Sequence, residues 1–158
     1  MPRIVSYDPQ RHGDGPWRVV KAVFDEYGFP FVESGYDADV LDPASHYSGP
    51  GNGFAVAERD DGSVVGCVGI TDEGDGVSEL HRLYVLAEAR KDGLGGRLIQ
   101  WVIDRANEDG AHKLILYSDV NFEDAHRLYE RMGFRCVMFR YAPDPWKSRE
   151  WGFELHLR

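Results

Sequence analysis

A chain of 158 residues with 42% hydrophobic and 13% aromatic content suits one domain with an ordinary core, and it has no apolar run approaching the ~18 residues of a membrane span. Its formal net charge of −9 argues against a nucleic-acid partner, whose phosphates attract basic surfaces, and is compatible with cationic substrates such as amines. The amino terminus carries no basic-then-apolar signal pattern, so the cytoplasm is the expected location and a membrane is not an expected partner.

In chain order, residues 4–7 read as a first strand. Residues 16–27 follow as a helix, with Pro16 in its first turn and Gly28 just past its end. Residues 28–52 mix Gly, Pro, Asp and Ser with Phe31, Tyr36 and Tyr47, a long connection in which a short helix is expected near residues 36–41. Residues 54–58 and 64–71 are apolar strands joined by Asp60-Asp61-Gly62, a hairpin signal. Residues 78–85 form the next strand. From Leu94 to Asp109 the apolar residues Leu94, Leu98, Ile99, Val102, Ile103 and Ala106 share one helical face. A buried strand is expected over 113–118, then a helix over 122–132 stopped by Gly133. Residues 135–141 and 151–157 make a terminal strand pair, connected through Pro143, Asp144, Pro145 and Trp146. Helices and strands alternating around one sheet give a single α/β domain spanning 1–158. Cys67 and Cys136 lie in apolar runs without C-x-x-C spacing, so both are expected as buried free thiols used for packing.

Chemistry concentrates after the 78–85 strand. Leu83-Tyr84-Val85 leads into Arg90-Lys91-Asp92-Gly93-Leu94-Gly95-Gly96, and the loop opens the helix at Leu94. A helix start offers unpaired N–H groups and the positive end of the dipole, and glycines let a ligand approach the backbone, so a phosphate or pyrophosphate is the expected guest. A P-loop would need Lys-Ser or Lys-Thr after its last glycine, which is missing. A dinucleotide fingerprint would need glycine where Leu98 stands, and no second βαβ half follows, which disfavours a nucleotide oxidoreductase. Arg90, Gly93 and Gly95 instead satisfy R-x-x-G-x-G. A second segment, Asn121-Phe122-Glu123-Asp124-Ala125-His126-Arg127-Leu128-Tyr129-Glu130-Arg131-Met132-Gly133-Phe134, satisfies N-x-x-A-x-x-x-Y-x-x-x-G-F, with Asn121 one residue early. One helix and one strand separate the two.

Together these segments resemble the acyl-CoA-dependent N-acetyltransferases of the GNAT superfamily, over roughly residues 54–139. The resemblance implies a mixed, mostly antiparallel sheet of six to seven strands with about four helices, whose fourth and fifth strands splay around the cofactor arm. It implies acetyl-CoA as co-substrate, with the backbone of Leu83, Tyr84 and Val85 along the pantetheine arm and Arg90, Lys91, Asp92, Gly93, Leu94, Gly95 and Gly96 around the pyrophosphate. Asn121 and Ala125 of the late helix belong to the same cofactor-binding set. Asp92 departs from the family pattern; a carboxylate there either faces solvent or supports the helix start. Tyr129 matches the tyrosine that protonates the leaving thiolate as general acid.

Removing the amine proton needs a base. Glu79 stands six residues before Val85, as a glutamate does in some GNAT enzymes, and would act through a water. His81 is the second candidate, since it titrates near neutral pH. In a regular strand Glu79, His81, Leu83 and Val85 share one face. His112, His126 and His156 show no metal-ligand spacing, so no metal is expected. The expected reaction is transfer of acetyl to a primary amine, on a small molecule or a protein, by direct attack in a ternary complex; a silent acyl-CoA-binding module is the alternative. Acceptor specificity is expected in residues 24–50 and 141–150, where Tyr27, Phe29, Phe31, Tyr36 and Trp146 supply aromatic surface and Asp25, Glu26, Glu33, Asp37 and Asp39 supply negative charge. A homodimer is compatible with these features.

Overall fold

Apolar runs draw seven segments of the chain into one sheet. The computed structural model describes all 158 residues, with strands β1 (Arg3–Ser6), β2 (Gly53–Glu58), β3 (Val64–Asp72), β4 (Val77–Val85), β5 (Lys113–Asp119), β6 (Arg135–Tyr141) and β7 (Arg149–His156). Their spatial order is β1-β2-β3-β4-β5-β7-β6, antiparallel throughout except for the β4–β5 pair. The β2–β3 hairpin turns at Gly62, whose φ of +87° suits a residue without Cβ, and the Asp61 carboxylate accepts from Ser63 N–H and hydroxyl.

Five helices accompany the sheet: α1 (Pro9–His12), α2 (Gly15–Tyr27), α3 (Pro43–His46), α4 (Leu94–Glu108) and α5 (Glu123–Arg131). The single-turn helices α1 and α3 exceed the expected set. Each follows an Asp-Pro pair, in which Asp8 or Asp42 caps a backbone N–H and proline supplies the first helical φ. The helix expected over 36–41 is a 3-10 turn, Ala38–Val40. No helix is long and apolar enough to cross a membrane.

Helices α4 and α5 cover one face of the sheet. Leu94, Leu98, Ile99, Val102 and Ala106 of α4 are buried there against Val65, Val68, Ile70, Leu80 and Leu116. Helix α2 covers the other face, with Val19, Val20 and Phe24 packed on Val56 and Cys67. Each buried Val, Leu, Ile or Phe contributes about 1.5–3 kcal/mol. Cys67 is buried as expected, but Cys136 is exposed, because β6 is an edge strand paired only with β7.

Two irregularities in β4 shape the molecule. Its pairing with β5 stops at Leu80 opposite Leu116, although β4 runs on to Val85 and β5 to Asp119, so the two strands part as expected. Across from β3, Gly69 opposes His81 and Cys67 opposes Tyr84, leaving Arg82 and Leu83 together against Val68. This is a β-bulge, with Arg82 at a φ of +55°. It corrects the expectation of one shared face. Leu83 and Val85 join the α4 side with Leu80, whereas His81 lies beside Tyr47 and Tyr84 packs against Phe24 on the α2 side.

Candidate active site

The wedge between β4 and β5 opens into a cavity of about 1120 Å³. At one end is the start of α4. Gly93 takes a φ of +73° as its cap, and its carbonyl accepts from Arg97 N–H. The N–H groups of Leu94, Gly95 and Gly96 therefore have no partner within the helix, and the positive end of the dipole adds to their pull on an anion. Lys91 lines the same end of the cavity.

Arg90 is already engaged. Its Nε donates to the Val85 carbonyl at 3.0 Å, and its two Nη groups donate to Glu26 of α2 at 2.8 Å each. Leu83, Tyr84, Val85, Lys91, Gly93, Leu94, Gly95, Gly96 and Ala125 line the cavity with Arg90, while Asp92 and Asn121 do not. Asn121 turns back on Asp119, donating from its N–H and its Nδ2. The glycines also serve a purpose that their spacing does not show. A Cβ on Gly95 would stand 3.1 Å from Leu128 Cδ2, so Gly95 lets α5 approach α4 as well as leaving the backbone open.

Midway along the cavity sits Tyr129, buried at 4% exposure. Burial, with Tyr84 close by, pushes its phenol well above the ordinary tyrosine range, against the opposing effect of its hydrogen bond with Ser118. The phenol is protonated at any working pH and can donate. Ser118 also meets His126 Nε2 at 3.0 Å.

Glu79 and His81 lie together beyond it, on the α2 side. Burial, reinforced by the charges of Glu73 and Glu150, pushes Glu79 up to about 7, while Arg140 opposes the rise. Burial pushes His81 down to about 4, so it is neutral at pH 7. Thr71 Oγ1 donates to Glu73 Oε2 at 2.5 Å, so its contact with His81 Nε2 at 2.8 Å requires the imidazole to donate. That assigns the proton to Nε2 and leaves the Nδ1 lone pair facing Glu79 Oε2 at 3.4 Å. Glu79, His81, Thr71 and exposed Glu73 thus form one chain of polar groups from cavity to surface. Glu73, Glu79 and His81 also offer metal-type ligand atoms within 4.8 Å of one another, a grouping that the spacing of the other histidines did not suggest.

The far wall comes from the β6–β7 hairpin and the connection after α2. Tyr27, Phe29, Tyr36 and Trp146 reach the cavity, whereas Phe31 packs on Trp17 and Phe24. The acids expected to hold an ammonium group are largely spent elsewhere. Asp39 binds Arg82 at 2.7 and 3.0 Å, Asp37 lies 3.0 Å from Arg82 Nη1, Glu26 holds Arg90 and Asp25 holds Lys21. Sequence reading missed Arg140 and Glu150, which both line the cavity. They are cross-strand partners on β6 and β7, and opposite charges at facing positions of a hairpin were the available signal.

Residues 18–134 match the model of the acetyltransferase (GNAT) family. The aminoalkylphosphonate N-acetyltransferase of Salmonella typhimurium is 29% identical over 129 residues, covering 78% of this chain and 79% of that protein. A GNAT-family acetyltransferase structure from Staphylococcus aureus Mu50 matches with a TM-score of 0.86 at 18% identity over 100% of both chains. A phosphinothricin acetyltransferase from Sinorhizobium meliloti, solved in complex with acetyl-CoA, matches with a TM-score of 0.73 at 15% identity, covering 99% of this chain and 88% of that one.

Proposed function

The chain belongs to the GNAT acetyltransferase family, and from that premise we propose that it moves the acetyl group of acetyl-CoA to a primary amine by direct attack. The observation that carries the reading is one cavity holding an open helix start, a protonated Tyr129 and a Glu79 that titrates near neutrality. The free N–H groups at the start of α4, with Lys91, fit the pyrophosphate of acetyl-CoA, and the parted edge of β4 suits an extended arm. Acetyl-CoA supplies the thioester when bound.

The protein's own residues move the protons. Glu79, ionised above about pH 7, takes a proton from the incoming ammonium, directly or through water. The neutral amine forms the new C–N bond as the C–S bond breaks, Tyr129 gives its proton to the departing sulfur, and the second proton shed by the amide nitrogen restores the phenol. Through His81 Nδ1, His81 Nε2 and Thr71, Glu79 can return its proton to Glu73 at the surface. Free thiols at Cys67 and Cys136 support a reducing, cytoplasmic setting.

A silent acyl-CoA-binding module has no use for a proton donor at Tyr129 and a carboxyl that ionises near neutrality at Glu79 in one cavity. Release of CoA thiol, measured with an amine panel, tests the choice. Tyr129→Phe is expected to lower turnover roughly 10²–10⁴-fold with CoA affinity nearly unchanged. CoA binding without thiol release for any amine would favour the silent module, and full turnover in Tyr129→Phe would leave the tyrosine a packing residue.

A further inference from the structure

The acceptor end of the cavity contains a cation with unused donors. Arg140 reaches in from β6, its guanidinium lying over the Tyr117 ring with Cζ 3.4 Å from the centroid. Its Nε donates to Glu150 Oε1 at 2.8 Å, and neither Nη group hydrogen-bonds to the protein. Stacking and that single bond fix the plane of the fork before any ligand arrives. Arg82 and Arg90 differ, since their Nη groups are spent on Asp39 and Glu26. The side chain of Arg140 is half-buried, so a charge-assisted bond to it is less screened than one at the surface.

Arg140 and Glu79 line the same cavity, so the fork and the proton acceptor face one space. We propose that the acceptor is a compact amine that also carries a carboxylate or phosphonate, its ammonium group meeting Glu79 and its anionic group taking the Nη edge of Arg140. A planar guanidinium receives either anion through paired N–H donors, which a lysine does not offer. Glu150 offsets part of the charge but leaves both Nη groups free to donate, because its contact is with Nε and steadies the fork. A diamine of the same length would bring its second positive charge against Arg140.

This inference rests on the acetyl-transfer reading, and matched acceptors separate the two. Thiol release is measured with β-alanine, aminoethylphosphonate, propylamine, ethylamine and diaminopropane. The parent protein is expected to favour each anionic amine over its plain counterpart by at least about tenfold in kcat/KM. Arg140→Gln is expected to erase that preference mainly through KM, and Arg140→Lys to keep part of it. The double variant Arg140→Gln/Glu150→Gln, which strands no carboxylate, is expected to behave like Arg140→Gln. Comparing the first two acceptors distinguishes carboxylate from phosphonate. Equal use of charged and plain amines, preference for the diamine, or an unchanged preference in both glutamine variants overturns the proposal. Absence of thiol release with every amine tested sinks the acetyl-transfer reading instead. Calorimetry with the two anionic amines then decides the Arg140 site: binding lost in Arg140→Gln upholds it, and no binding to the parent overturns it too.

Discussion

The base role proposed for Glu79 depends on an unfavourable position. Burial raises its carboxyl to about 7, so the folded state holds this proton more tightly than the unfolded chain, where a glutamate titrates near ~4.3. The sign follows directly. The contribution of Glu79 to stability is greatest below the unfolded value and declines as pH rises to about 7, by roughly 4 kcal/mol at most. Under the proposed base role, activity is expected to run the other way, rising as the carboxylate forms. Glu79→Gln is therefore expected to melt a few degrees higher than the parent at alkaline pH while losing turnover. Its remaining rate is expected to climb only as pH nears the amine's own pKa of ~10. A parent-like pH–rate profile in this variant would remove Glu79 from the chemistry. Thr71→Val, which interrupts the path to Glu73 without touching the cavity wall, is expected to slow turnover severalfold at constant KM. An unchanged rate would restrict proton exit to water.

The long elements were legible because each repeats one period over enough residues. Helix α4 shows a clean 3.6-residue stripe, and α2 has proline and glycine at its two ends, so both were placed within a residue or two. The bulge in β4 was not legible. A left-handed arginine has no signal of its own; distant residues hold it there, with Asp37, Asp39 and the Tyr36 carbonyl all meeting the Arg82 guanidinium. A regular strand would place Leu83 and Val85 on the face that carries Glu79 and His81. The role of Gly95 in packing and the Arg140–Glu150 pair were hidden in the same way, since both depend on which elements become neighbours. Arg82→Ala tests how firmly the bulge is held. It leaves Asp37, 1% exposed, and Asp39 without their cation, and loss of one partner of a buried pair costs about 3–5 kcal/mol. Urea unfolding should show that loss, with partial recovery in Arg82→Ala/Asp37→Asn. A small loss would mean that strand pairing alone fixes the bulge.

Across the whole molecule, ion pairs reinforce the sheet edge and tie helices to the rest of the fold. At the amino-terminal edge Glu58, fully buried, accepts from Arg3 and Arg11 at 2.6 Å each and from His12 Nε2 at 2.8 Å, fastening β1 and α1 to β2. The bond from His12, followed by the two arginines, holds the Glu58 carboxyl below the usual glutamate range. A depressed carboxylate stabilises the fold above its unfolded value and ceases to do so as acid protonates it, so stability is expected to fall below about pH 4. Glu58→Gln is expected to be weaker at neutral pH and to lose much of that acid dependence in urea titrations; a parallel acid curve would place the sensitivity elsewhere. At the opposite side, Glu26 ties the last turn of α2 to Arg90. Both partners are about a third exposed, and such a pair is worth only about 0–1 kcal/mol, so a phosphate can displace the carboxylate. Glu26 and a phosphate cannot hold the same Nη groups at once. Under the acetyl-transfer proposal, a donor phosphate that takes the Nη groups of Arg90 releases Glu26 and frees the end of the helix whose Val23, Phe24 and Tyr27 wall the cavity, so the acceptor site is expected to be complete only afterwards. The expected kinetic consequence is compulsory order. An unreactive amine analogue should inhibit uncompetitively against acetyl-CoA in the parent and noncompetitively in Glu26→Gln, where the sequence of arrivals no longer matters.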